Sequence, residues 1–173
     1  VKAGDHVVLT WIKGRGADVA SSQYTRIDGS AVNSGAVSTL MTQTIASENR
    51  LVKITPKMPL REASLLGCAI PTGAGTIFNT AKIAAGSSVA VFGVGGIGLS
   101  AVLAAKAAKA AVIIAVDIHQ HKLSHAIALG ATDAVNVNEQ DALSAIHSIT
   151  VGRGVDYAIE SAGIRQSMET AFQ

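Results

Sequence analysis

Residues 88–122 read SVAVFGVGGIGLSAVLAAKAAKAAVIIAVDIHQHK, an almost wholly apolar run broken early by glycines and closed by an aspartate. About 20 apolar residues suffice to cross a bilayer, so a membrane span is the first reading to test. Lys106 and Lys109 fall inside the run, and its pattern changes along its length. Residues 88–92 are β-branched and aromatic, 95–108 are alanine-rich, and 112–116 are β-branched again. That sequence of patterns predicts strand, helix, strand. Parallel strands covered by helices on both faces read as continuous apolar segments, so a buried sheet explains the hydropathy without lipid.

Gly93, Gly95 and Gly98 form G-x-G-x-x-G at the junction of the first strand and the helix. The first permits a tight turn, the second a close backbone approach to a pyrophosphate, and the third close packing of helix on strand. The amides of the first helical turn then face the anion. The motif alone is weak evidence, because glycines also serve packing. Here a strand precedes it, a helix follows it, and Asp117 ends the second strand where a ribose-binding carboxylate is expected. The expected cofactor-binding set is Gly93, Val94, Gly95, Gly96, Ile97, Gly98 and Asp117. A carboxylate at Asp117 accepts from both ribose hydroxyls and repels a 2′-phosphate, which favours NAD over NADP. His119 and Lys122 lie close by and offset part of that repulsion. A methyltransferase also places a glycine loop before an acidic strand end, but its loop carries an acid just before the glycines, where this chain has Phe92.

The alternation continues with a helix over Gln120–Leu129 stopped by Gly130, a strand over 134–137, a helix over 139–149 and a strand over 155–159. The expected class is α/β, a doubly wound parallel sheet. Glu160, Ser161 and Ala162 follow the last strand at the sheet end where such folds bind ligands, either lining the adenosine side or standing as solvated strand-end residues. Upstream, residues 5–12 and 37–46 are β-rich, with turns at 14–16 and 28–35. Pro59 introduces a short helix over 60–66, and Pro71 marks another helix entry. The expected boundary separates 1–68 from 69–173. The chain opens in a strand approach and stops inside a helical pattern, so it is expected to be part of a larger protein.

With 49% hydrophobic and 15% charged residues, 173 residues suffice to bury a core. The formal charge of +2 is dispersed and 3% of residues are aromatic, which gives neither a phosphate-tracking surface nor a stacking platform for nucleic acid. Cys68 is the single cysteine, and no leader pattern opens the chain, so a reducing cytoplasm is the expected setting.

The segments AGDHVV, SENRLVKI, ASLLGCAIPTGAG, AVFGVGGIGLSAV, VDIHQHKL, LGATDAVN and GVDYAIESAG occur in that order along nearly the whole chain. Together they resemble the zinc-containing medium-chain alcohol dehydrogenases. The resemblance implies part of a GroES-like catalytic β domain followed by part of a Rossmann domain that binds NAD. It implies that Cys68 is a ligand of a catalytic zinc, that Thr72 lies near the nicotinamide, and that Lys122 contacts the adenosine ribose. Zinc with three protein ligands keeps one position open for a substrate oxygen. The family's other two ligands lie upstream of the GDHVV strand, so Cys68 cannot build the site alone. The implied activity of the intact enzyme is zinc-assisted hydride transfer between a small alcohol and its aldehyde or ketone, in a homo-oligomer, without nucleic acid or membrane partners. The isolated chain is expected to be inactive.

One departure stands out. The cysteine cluster that binds a structural zinc in many members has no counterpart between Lys13 and Ser38, so no structural zinc is expected. This leaves a zinc-free quinone or enoyl reductase as an alternative, against which Cys68 speaks, and a dinucleotide-binding chain without turnover as another. His121 and His125 stand four apart on a helix, yet no carboxylate or cysteine completes a metal set, so a solvated face with at most adventitious metal is expected. His6 and His147 read as surface residues.

Overall fold

The computed structural model of the chain describes residues 1–20, 23–32 and 37–173. They form two compact units, Val1–Cys68 and Ala69–Gln173.

In the first unit β1 (Val7–Leu9) pairs antiparallel with β4 (Leu51–Lys53), Val8 opposite Val52. A short hairpin joins β2 (Tyr24–Thr25) to β3 (Ala31–Val32). Its turn is set by Asp28, whose Oδ1 accepts from the Ser30 amide at 2.9 Å, and by Gly29 at φ +82°. Residues 33–35 of the expected 28–35 loop lie outside the described residues. β1 is shorter than the expected 5–12 because its partner ends in a 3₁₀ turn, Glu48–Arg50, beyond which pairing continues only as isolated bonds from the Thr10 and Gly14 amides.

The strand expected over 37–46 does not form. Leu40 and Ile45 are exposed, at 103% and 74%, so the segment has no sheet face to bury against. Strand preference is realised only where a pleated surface is half covered, and here burial overrides composition. After β4, α1 (Leu60–Ala63) opens behind Pro59 and runs into a 3₁₀ turn, Ser64–Gly67.

The second unit begins with α2 (Ala69–Gly75), continued by a π-helical segment, Thr76–Ala81. Then β5 (Ser88–Phe92), α3 (Gly96–Ala107), β6 (Val112–Asp117), α4 (Gln120–Leu129), β7 (Asp133–Asn136), α5 (Ala142–Ile149), β8 (Tyr157–Glu160) and α6 (Arg165–Ala171) alternate. The strands form one four-stranded sheet in the order β7-β6-β5-β8, every neighbouring pair parallel. This is a doubly wound Rossmann sheet, and the order reverses at β5, between β6 on one side and β8 on the other.

Residue alternation along the strands assigns the two faces. Val89, Val91, Ile113 and Ala115 pack with Ala101, Val102 and Ala105 of α3 and with Leu123 and Ala126 of α4. Ala90, Phe92, Ile114, Val116 and Val135 pack on the other face with Ile146 of α5. Each fully buried Val, Leu or Ile side chain contributes about 1.5–3 kcal/mol, so this two-sided core carries the unit. The alanines let α3 sit close to the sheet. Gly73 serves the same end between helices, because a Cβ there would meet Ser100 Cβ at 2.7 Å and the Ala101 nitrogen at 2.9 Å.

The starts of α5 and β8 differ from the sequence expectation for identifiable reasons, and β7 is set one residue earlier than expected, at Asp133–Asn136. α5 starts at Ala142 and not at 139, because Asp141 caps it: Oδ1 accepts from the Ser144 amide at 2.9 Å while the Glu139 and Gln140 amides turn back to the Asn136 carbonyl. β8 starts at Tyr157 and not at 155, after the positive-φ turn of Gly152 and Gly154. Among the described residues no helix is long and apolar enough to cross a membrane.

Candidate functional site

A cavity of about 500 Å³ opens at the carboxyl ends of β5, β6, β7 and β8. Gly93, Gly95, Asp117, His119, Lys122 and Ser161 are among the residues that line it. All of them belong to the second unit.

The glycines divide their work as their spacing implies. Gly93 adopts φ +80°, a region that penalises side chains, and a Cβ on it would meet the Ala162 backbone at 2.6 Å. Gly95 is the N-cap of α3, and a Cβ there would meet nothing within 4 Å. That open space is where another molecule can approach the backbone. Gly98 is buried, and a Cβ there would run into the Gly93 carbonyl. The first turn of α3 has no side-chain cap and no acidic residue, so the partial positive charge of the helix end is not internally neutralised.

Asp117 ends β6, and its side chain is 7% exposed. Oδ2 accepts from the Val94 amide at 3.0 Å, and Oδ1 accepts from the His119 amide at 2.9 Å. Lys122 Nζ stands 4.0 Å from Oδ2. The carboxylate therefore braces both the glycine loop and the start of α4, with lone pairs to spare for a ligand's hydroxyls. Ser161 supplies a second brace, donating from Oγ to the Gly93 carbonyl at 2.6 Å while its amide donates to the Phe92 carbonyl at 2.8 Å.

Gly93, Gly95, Asp117 and Lys122 thus meet around one cavity. Val94 is buried beneath it, and Gly96 and Ile97 are exposed on the first turn of α3. Thr72 lies in α2, exposed, its carbonyl accepting from Thr76 Oγ1 at 2.9 Å, and it is not among the lining residues. Cys68, the last residue of the first unit, is an exposed free thiol. Among the described residues no group of three or more His, Cys, Asp or Glu could hold a metal ion. Cys68 offers one sulfur donor, and the described residues do not complete a zinc site around it.

Glu160 is taken up by its own loop. Its Oε1 accepts from the Ala162 and Gly163 amides, each at 2.9 Å, and from Ser167 Oγ at 2.7 Å. The lining role falls to Ser161 and Ala162. Asn138, Gln140, Ser167 and Thr170 also line the wall and were not anticipated. Asn138 and Gln140 follow β7, so the strand-end rule that singled out Asp117 and Ser161 applied equally there. His121 is stacked near His119, ring centroids 5.6 Å apart, and lies edge-on to His125 at 6.4 Å.

A doubly wound sheet with a glycine turn, an uncapped helix end and a strand-end acid around one crevice is the arrangement at which open α/β sheets take up ligands. Residues 96–173 match the family model of the zinc-binding dehydrogenases. The benzyl alcohol dehydrogenase from Acinetobacter calcoaceticus superposes with a TM-score of 0.79 at 33% identity, over 99% of this chain and 52% of that one. The alcohol dehydrogenase zinc-binding domain protein from Burkholderia ambifaria is 47% identical, with a TM-score of 0.70 over 73% of this chain and 34% of that one. The zinc-dependent alcohol dehydrogenase 2 from Streptococcus pneumonia is 32% identical, with a TM-score of 0.67 over 75% and 37%. The chain belongs to the zinc-containing medium-chain alcohol dehydrogenases, and it spans between 34% and 52% of the length of these three solved chains.

Proposed function

We propose that the Ala69–Gln173 unit binds NAD, within a protein that interconverts a small alcohol and its aldehyde or ketone. The observation that carries this reading is the Val94 amide on Asp117 Oδ2 beside the open face of Gly95. The amides at the start of α3 would hold the pyrophosphate, Asp117 and Lys122 would meet the adenosine ribose, and Gly93 and Gly98 would keep the loop against the sheet. When bound, the dinucleotide supplies the hydride acceptor and donor. Thr72 is assigned to the neighbourhood of the nicotinamide by family resemblance.

Cys68 is assigned, on the same ground, as one ligand of a catalytic zinc. The described residues gather no donor set around it, so this reading gives them dinucleotide binding and gives alcohol activation to further ligands. The 173-residue chain is accordingly proposed to bind the cofactor without turnover, and catalysis and homo-oligomer assembly are assigned to a longer protein.

Calorimetric titration of the chain with NADH is the test, with circular dichroism to establish that it is folded. Saturable one-to-one binding is expected, with no alcohol-dependent reduction of NAD. A folded chain that binds neither NADH nor NADPH overturns the cofactor assignment. Turnover by the chain alone overturns the view that further ligands are required.

A further inference from the structure

Ser161 meets the glycine turn from the end of β8, and its hydroxyl acts on a single peptide group. Oγ donates to the Gly93 carbonyl at 2.6 Å. The Phe92 carbonyl, 3.1 Å from the same oxygen, already accepts from the Ser161 amide at 2.8 Å. A hydroxyl has one proton to give, so the shorter contact takes it. At the other end of the Gly93–Val94 peptide, the Val94 amide donates to Asp117 Oδ2 at 3.0 Å. One peptide plane is therefore held at its oxygen from β8 and at its nitrogen from β6.

Backbone preference alone does not set this plane. Gly93 stands at φ +80°, and glycine accepts conformations on either side of the map at little cost. In the orientation observed, the carbonyl oxygen lies between the Ser161 hydroxyl and Gly98, where a Cβ on Gly98 would run into it. A plane turned over would carry that oxygen to the Asp117 side, where Gly93, Gly95 and Asp117 line the cavity. Anion-binding turns work by presenting successive N–H groups, and a carbonyl oxygen among them opposes the ligand.

We propose that Ser161 is a positioning residue for the diphosphate of the dinucleotide: its hydroxyl holds the Gly93 carbonyl against Gly98 and keeps the negative end of that peptide out of the phosphate site. This rests on the dinucleotide reading above. Ser161 acts through Gly93, so its effect falls on the phosphates. The adenosine end keeps its own support, since Asp117 Oδ1 accepts from the His119 amide at 2.9 Å whether or not Ser161 is present.

Titration of the whole chain with NADH, ADP and adenosine, the last followed by ligand-observed NMR, tests the proposal on the natural protein, Ser161→Ala and Ser161→Thr. Ser161→Ala is expected to bind NADH and ADP about fivefold more weakly, as for the loss of one neutral hydrogen bond, and adenosine equally well. Ser161→Thr keeps the hydroxyl and should restore most of the loss. If Ser161→Ala binds ADP like the natural chain, or loses ADP and adenosine alike, the proposal fails while the cofactor reading survives. An equal loss of ADP in Ser161→Thr also overturns it, because the hydroxyl is then not what matters. So does a Ser161→Ala chain that thermal melts show to be unfolded, since the serine then serves the fold. If the folded natural chain binds neither NADH nor ADP, the underlying cofactor reading falls, and the proposal with it.

Discussion

The amide of Val94 donates to Oδ2 of Asp117 at 3.0 Å, so the acid that ends β6 is bonded to the glycine loop that follows β5. The carboxylate proposed to meet the ribose is thereby also bonded to the turn proposed to hold the phosphates. Asp117→Asn keeps the shape but removes the charge, and its single oxygen can accept from the Val94 amide or the His119 amide but not from both. Hydrogen bonds to charged groups are worth about 1.5–3 kcal/mol, so NADH affinity should drop by roughly tenfold or more. NADPH should lose less, because repulsion of the 2′-phosphate is removed together with the ribose bonds. Paired titrations of the two dinucleotides check both statements; equal losses would mean that Asp117 only braces the loop.

Gly95 and Gly98 separate ligand binding from packing. An alanine Cβ at Gly98 runs into the Gly93 carbonyl, and backbone must move to relieve it. Overpacking of this kind costs about 1–3 kcal/mol, so Gly98→Ala should lower the melting temperature and abolish binding together. At Gly95 the Cβ meets nothing within 4 Å and φ is −76°, an ordinary value for alanine. Gly95→Ala should therefore melt like the natural chain yet bind NADH more weakly, because the methyl stands in the open space the pyrophosphate needs. Thermal melts and titrations on the two variants distinguish these outcomes.

The Rossmann half was readable because both of its signals are local. Two-sided burial writes itself as uninterrupted apolar runs, and a tight βα turn demands glycines at fixed offsets, so the sheet and the Gly93 to Asp117 constellation follow from short windows of sequence. Signals that depend on distant partners failed. Residues 37–46 carry strand composition, but Leu40 and Ile45 are left largely exposed, and no local pattern reveals that exposure. Glu160 is as well placed in the sequence as Ser161, yet the loop amides of Ala162 and Gly163 occupy it. Cys68 drew its assignment from family resemblance alone, and among the described residues its exposed thiol belongs to no group of three metal donors that spacing could have foretold.

Val151 adopts φ +54° just past the end of α5, with the side chain 86% exposed. A β-branched residue in the left-handed region is strained by roughly 1–2 kcal/mol, and exposure gives it little packing in return. Asparagine tolerates this conformation, so Val151→Asn should stabilise the chain by about 1 kcal/mol, raising the melting temperature by about 2–4 °C. NADH affinity should not change, since Val151 lies outside the cavity lining. Scanning calorimetry decides the point, and a lower melting temperature would show that the valine makes contacts worth more than its strain.

Asp156 ties the amino ends of the parallel strands β5 and β8 together. Its Oδ2 accepts from the Ser88 amide at 2.7 Å and from Ser88 Oγ at 2.8 Å, while its own amide donates to Ser88 Oγ at 2.9 Å. The amide bond, then the hydroxyl bond, hold its carboxyl below the ordinary 3.8, and the Arg153 charge assists. Folding therefore favours the deprotonated form. The resulting stability is fully present above the ordinary carboxylate range and is lost as pH falls through the lowered native value. Melting temperatures measured from about pH 5 down to about pH 3 should fall more steeply for the natural chain than for Asp156→Asn, which starts lower and carries no proton to gain. Parallel curves for the two proteins would assign the acid sensitivity to other lowered carboxyls, of which Asp141, at the cap of α5, is the next to replace.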